Sequence, residues 1–316
     1  MGINNWCAKA GACDTVIGLG DSFYNGPLSI FDPRWQKESR RCTISLLSFF
    51  GVWKPRLQRK VILFFSTLLL PSLPPFSPPN PITRPPRNSV QAQIDFSADP
   101  RWHLPSSNYT LVIPEADLTI VFVDTPRACP SYMSKPYGDC NELCMLQLAN
   151  LTQGMPCTNA TALPCWLSHV SWLNDTLAAA TTTWKFVAGH HPISDENMHH
   201  MAPSLDHYGV QAYLAGHVHN LQHYFEKASP VHYFISGAGA FTSPAAMAAA
   251  KQAAPAVVVG ASHLPRSIPH PSGKPWSAAG VGDGPGHLAI SIDGATALAQ
   301  FVHYNGTVIY NVTMQA

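Results

Sequence analysis

Residues 208–219 read Tyr-Gly-Val-Gln-Ala-Tyr-Leu-Ala-Gly-His-Val-His. Val210–Ala215 is a short, largely apolar run that stops at a glycine, the pattern of a buried strand. The glycine lets the backbone turn sharply as it leaves the strand. In the extended segment that follows, residues two apart point the same way, so His217 and His219 can face one pocket. The same grammar recurs along the chain. Thr15–Leu19 runs into Gly20-Asp21, Leu118–Val123 into Asp124-Thr125, Trp184–Ala188 into Gly189-His190-His191, and Val231–Ser236 into Gly237-Ala238-Gly239. Polar residues just past strand ends are where α/β folds gather ligands. Between these strands Trp166, Val170, Leu173 and Leu177 recur at helical spacing. The C-terminal stretch reads as three strands, His287–Ile292, Ala297–Tyr304 and Val308–Met314, joined by Asp293-Gly294 and Asn305-Gly306 turns.

The composition frames that pattern. The chain has 316 residues, 46% hydrophobic and 10% aromatic, enough to bury a core and unlike a disordered segment. Charged residues are 12%, against about 25% in an average globular chain. The net charge of +1 gives no field to recruit nucleic acid or a membrane surface. The longest apolar run, Val61–Leu70, is too short to span a bilayer. Nine of the 15 histidines lie between positions 190 and 232, a density that suits metal or acid–base chemistry. Eight of the 29 prolines fall in residues 71–86, which suits extended, solvated chain. The segment from about 41 to 87 breaks the strand pattern and reads as an interruption of the domain, packing poorly and open to proteases.

Six Asn-x-Ser/Thr sequons, at Asn108, Asn150, Asn159, Asn174, Asn305 and Asn311, favour a secreted or lysosome-like glycoprotein carrying N-glycans. The cysteines at 129, 140, 144, 157 and 165 then read as disulfide partners, and the last four allow three connectivities. Residues 1–15 hold no apolar core of a signal peptide, so the secretory reading expects that element to be missing from this chain.

At the strand ends the chemistry converges. Gly20-Asp21-Ser22-Phe23-Tyr24 offers a carboxylate and a phenol. Adjacent residues of a strand face opposite sides, so one of His190 and His191 is expected as a ligand. One carboxylate, one phenolate and three imidazoles suit Fe(III) paired with Fe(II), Zn or Mn.

These residues resemble a known family. The order GDSFY, VAGHHP, AGHVH is similar to the calcineurin-like metallophosphoesterases, and more closely to the small purple acid phosphatases of the tartrate-resistant type. FDPRWQ, VQAQIDFS, LTIVFVDT, SWLNDTLAAA and YFISGAGAF extend the likeness over about residues 6–40 and 88–316. The resemblance implies a single domain over residues 1–316, shortened at its N-terminus. It implies a four-layer α/β/β/α sandwich of two mixed sheets, with the metal site at the C-terminal ends of strands. It also implies roles. Asp21 would bridge two metals, Tyr24 and His219 would bind the ferric ion, His190 and His217 the divalent one, and His199 would face the phosphate. The activity implied is that of an acid phosphatase, in which hydroxide held by the metal pair attacks small phosphate monoesters.

Two departures stand against full activity. No Asp-containing GDWG-like motif precedes Asp21, and no GNHD motif lies between Tyr24 and Gln91, where the proline-rich interruption falls. One ligand at each metal therefore has no counterpart. The alternatives are a non-catalytic secreted glycoprotein or defective gene model of this family, and a GDSL-type serine esterase with Ser22 as nucleophile. The esterase also needs a Gly-x-Asn-Asp block and a late Asp-x-x-His, and the sequence has neither.

Overall fold

Side chains alternate between the two faces of a strand, and one sheet of this protein presents its two faces to two different cores. The structure is a computed structural model describing residues 15–19, 60–65, 94, 103–125, 159–218, 221–225, 229–238, 277–282, 286–303 and 305–316. The strands are β1 (Thr15–Gly18), β2 (Lys60–Phe65), β3 (Tyr109–Ile113), β4 (Leu118–Phe122), β5 (Trp184–Ala188), β6 (Ala212–Ala215), β7 (Leu221–Phe225), β8 (His232–Ser236), β9 (Ser277–Gly282), β10 (Gly286–Asp293), β11 (Thr296–His303) and β12 (Val308–Gln315). Helix α1 spans Asn159–Ala179, and a 3-10 segment, Glu196–Met201, leads into the short helix α2, Ala202–His207.

Two sheets form. One has the order β1-β2-β10-β11-β12, the other β3-β4-β5-β6-β8-β7-β9. In the larger sheet β4, β5, β6 and β8 run parallel, and β3, β7 and β9 pair antiparallel towards the edges. Leu118, Ile120, Phe186, Ala188 and Leu214 face the smaller sheet and pack with Leu288, Ile290, Ile292 and Phe301. Their chain neighbours Val121, Val187 and Tyr213 face the other way, onto the helices. There the expected helical stripe is buried: Trp166, Val170, Leu173 and Leu177 meet Met198, Met201 and Leu205. Two contacts clasp the sheets together. The Trp184 indole N–H donates to the Gly294 carbonyl at 2.8 Å, and Phe234 meets Phe301 edge-on at 6.1 Å.

This is a mixed α/β fold of two sheets, with the described helices against the larger one. The fourth layer of the expected sandwich falls outside the described residues. Of the segment 41–87, read from its sequence as an interruption, the structure describes residues 60–65. Residues 60–65 form β2, parallel to β1 with Ile62 opposite Thr15, and antiparallel to β10 with Ile62 opposite Ile290. Among the described residues no helix is long and apolar enough to cross a membrane.

Candidate metal centre

The parallel pairs β4–β5 and β5–β6 end in step, with Phe122 opposite Ala188 and Ala188 opposite Leu214. The residues just past those ends therefore lie side by side. Gly189 allows the close approach. A Cβ there would lie 2.4 Å from Thr125 Cγ2 and 2.8 Å from the Tyr213 hydroxyl. The turn that follows carries His190 and His191, and the turn after β6 carries His217.

His190, His191 and His217 present nitrogen atoms within 4.8 Å of one another, a group able to hold a metal ion. The roles of the three rings differ. His190 Nδ1 lies 2.8 Å from the carbonyl oxygen of Leu19. A carbonyl only accepts, so Nδ1 carries the proton and Nε2 keeps its lone pair. A backbone carbonyl behind the far nitrogen is the usual way a histidine ligand is oriented. His190 Nε2 is 3.2 Å from His217 Nδ1. Two imidazoles bound side by side at about 2.1 Å from one ion have nitrogens about 3.0–3.4 Å apart. The pair thus shares one proton between its rings, or one cation in the proton's place.

His217 is one of two non-glycine residues among those described with a left-handed backbone, φ 59°. That conformation is uncommon outside glycine and concentrates at functional sites. Its Nε2 lies 3.8 Å from an Asp195 carboxylate oxygen, longer than a hydrogen bond, so the carboxylate faces the ring without fixing it. His191 is 2% exposed, and burial, followed by the neighbouring His190 and His217, pushes its pKa down to about 2, so it stays neutral. Its Nδ1 lies 2.9 Å from the Thr125 hydroxyl.

Of the ligands expected from sequence, the structure brings His190 and His217 together. Asp21, Tyr24 and His219 lie outside the described residues. His199, expected to face the phosphate, sits on the 3-10 segment with its ring against that of His200, centroids 4.2 Å apart. Asp195 and Thr125 carry no signal for this role in the sequence by itself. Thr125 becomes legible once β4 and β5 are recognised as parallel neighbours that end in step.

The family comparison decides what this constellation belongs to: the calcineurin-like phosphoesterase model matches residues 126–221, which include His190, His199 and His217. Residues 126–221, and with them the histidine pair, belong to a calcineurin-like phosphoesterase domain. It is 35% identical over 169 residues to tartrate-resistant acid phosphatase type 5 of Mus musculus, covering 49% of this chain and 46% of that protein. It is 30% identical over 245 residues to the Homo sapiens protein of the same name, covering 73% and 62%. The chain thus spans less than two thirds of the length of these relatives. In fold it is similar to GAP50, the anchor in the inner membrane complex of Plasmodium, with a TM-score of 0.55 at 15% identity, covering 98% of this chain and 81% of that one. The metallophosphoesterase family implies a dinuclear metal centre, and the His190–His217 pair fits one half of it.

Proposed function

We propose that this chain is a phosphoric monoester hydrolase of the acid phosphatase kind, acting on small phosphorylated molecules at a dinuclear centre of Fe(III) with Fe(II), Zn or Mn. The observation that carries the reading is the His190–His217 pair, 3.2 Å apart at the C-terminal ends of two parallel strands, with a backbone carbonyl behind one ring and a carboxylate facing the other. Asp21 and Tyr24 complete the proposed ligand set with His219. What supports Asp21 and His219 is their place in the sequence: Asp21 follows Leu19, which touches His190, by two residues, and His219 follows His217 by two. A bound pair of ions supplies Lewis acidity towards the phosphoryl oxygens and a lowered pKa for water. The chain's own residues hold the ions, steady the His190 ring from behind, and, at His199, deliver a proton to the leaving oxygen.

The domain assignment over residues 1–316, the secreted or lysosome-like location and the N-glycans belong to the same proposal and rest on the sequence patterns; Asn108 is excepted as a glycan site, because its amide nitrogen faces His169. A second reading has its own observation. The lack of a GNHD motif favours a member that binds metal weakly and hydrolyses little. The deciding experiment measures metal content and p-nitrophenyl phosphate hydrolysis at acid pH for the chain as it stands, for one given a GNHD segment and an upstream Asp motif, and for His190→Ala and Ser22→Ala. Restoration should raise both quantities, and His190→Ala should lower both. Loss of activity in Ser22→Ala alone would transfer the reading to a serine esterase. A rate and metal load in the present chain equal to the restored one would overturn the expectation of weak activity.

A further inference from the structure

The turn carrying His190 and His191 has all four of its backbone polar groups engaged. The His190 and His191 N–H groups both donate to Thr125 Oγ1 at 3.1 Å. The His190 carbonyl accepts from Gly216 N–H at 2.9 Å, and the His191 carbonyl from the Tyr213 hydroxyl at 2.6 Å. Thr125 is wholly buried, so its hydroxyl has no bulk water to turn to. A hydroxyl has two acceptor sites and one hydrogen. The two N–H groups occupy both acceptor sites. The hydrogen then goes to the remaining neighbour, His191 Nδ1 at 2.9 Å. Nδ1 is an acceptor, so neutral His191 carries its proton on Nε2.

We infer that the Thr125 hydroxyl is a positioning group that sorts the three clustered imidazoles. It fixes the turn that aims His190 at the metal, and it holds His191 as an Nε2–H donor beside the centre, not as a third ligand. The inference rests on the reading of His190 and His217 as ligands. The hold on Thr125 continues outward. Asn108 Oδ1 accepts the N–H of Asp124 at 2.9 Å, and Asn108 Nδ2 lies 3.3 Å from His169 Nδ1 on α1. Helix, strand end and ligand turn are thereby joined by hydrogen bonds on either side of the Asp124–Thr125 peptide.

The test uses the full chain with Co(II) as the probe, read by its visible bands and by calorimetry, together with long-range 1H–15N NMR of the histidines. Thr125→Val removes the hydroxyl and keeps the branched shape. It should weaken Co(II) binding about 10–100-fold, the usual cost of losing a group that orients a ligand. Thr125→Ser restores the hydroxyl and should return affinity to within a few-fold, which a role in packing alone would not do. His191→Ala should leave the Co(II) bands in place, whereas His190→Ala should abolish them. In the wild-type NMR spectrum, free of added metal, His191 should show a pyridine-like Nδ1 and a protonated Nε2. A protonated Nδ1 overturns the inference even if Thr125→Val fails to fold. So does a His191→Ala variant that loses Co(II) as completely as His190→Ala. If His190→Ala binds Co(II) like wild type, the metal reading itself fails. If His190→Ala loses Co(II) and Thr125→Val keeps it, only the role of Thr125 fails.

Discussion

Gly189 and His217 show opposite uses of the backbone at one site. At Gly189 the constraint is space: Thr125 and Tyr213 already fill the volume a Cβ would need. Gly189→Ala must push Thr125 back, and with it the turn that carries His190. Overpacking of this kind costs about 1–3 kcal/mol. A denaturant titration should show a loss in that range, and Co(II) affinity should fall with it. Unchanged stability would mean the turn can shift freely. At His217 the constraint is conformation. Its φ of 59° suits glycine better than a residue with a Cβ, which meets the following carbonyl there at a cost of about 1–2 kcal/mol. His217→Gly relieves that strain but adds freedom to the unfolded chain, about 0.5–1 kcal/mol in the other direction. The balance predicts that the metal-free variant is as stable as wild type or gains up to about 1.5 kcal/mol, while it no longer binds Co(II). A loss of several kcal/mol on unfolding would show that the imidazole is held by packing and not for chemistry.

Among the elements, β7, β8 and β12 meet in a polar trio at the intersheet core, in which His223 is buried and His232 and Tyr310 are half-buried. His223 is wholly buried; its Nε2 lies 2.9 Å from His232 Nδ1 and its Nδ1 2.8 Å from the Tyr310 hydroxyl. Phe234 stacks on the His223 ring at 4.4 Å. Burial, then the adjacent His232, pushes the His223 pKa down to about 3, and burial lowers that of His232. A depressed histidine pKa means the folded state binds fewer protons than the unfolded one below the ordinary value of about 6.5. The stability it contributes is full above that value and is lost as pH falls towards about 3. Each such proton adds up to about 1.4 kcal/mol per pH unit to the slope. His191 and His287, with pKa values pushed to about 2 and 4, add to the same slope. His223→Gln keeps hydrogen-bonding groups and removes one titration. Unfolding free energy measured between pH 6 and 4 should fall less steeply by close to one proton. An unchanged slope would place the acid sensitivity elsewhere.

The same elements show what the sequence makes legible. The parallel strands β4, β5, β6 and β8 are apolar runs ending at polar loops, and the reading finds each within two residues. β10, β11 and β12 alternate clearly and are also found. β2, β3, β7 and β9 are not legible in the sequence. β7 carries Gln222 and His223 in mid-strand, both buried, and neither residue type announces burial from sequence. β9 is Ser-Ala-Ala-Gly-Val-Gly, too small and too rich in glycine to look like a strand. In the site, His190 and His217 are legible because glycine and strand end mark them. Thr125 and Asp195 are not, because their roles arise from which strands lie side by side and from how a loop folds back.

At the scale of the molecule, the two sheets depend on each other through β1. Among the described residues this strand pairs only with β2 in its sheet, and β2 in turn joins it to β10. Just past β1, the Leu19 carbonyl accepts the proton of His190 Nδ1, a ring set on the other sheet. The orientation of a metal ligand on the larger sheet thus rests on a strand of the smaller one, held there by residues 60–65. Leu63 lies opposite Val16 and Ala289 in the middle of that strand. Leu63→Pro removes a backbone donor from a strand paired on both sides, where proline is almost never found. The expected outcome is a stability loss of about 3 kcal/mol or more, together with weaker Co(II) binding as β1 loses its partner. Hydrogen exchange on the wild-type chain provides the companion measurement. Amides of residues 60–65 should be protected about as well as those of β10. Free exchange there, with Leu63→Pro as stable as wild type and unchanged in Co(II) affinity, would return residues 60–65 to the role their sequence first suggests, an interruption outside the fold. His190 would then need a different support from the one Leu19 gives it.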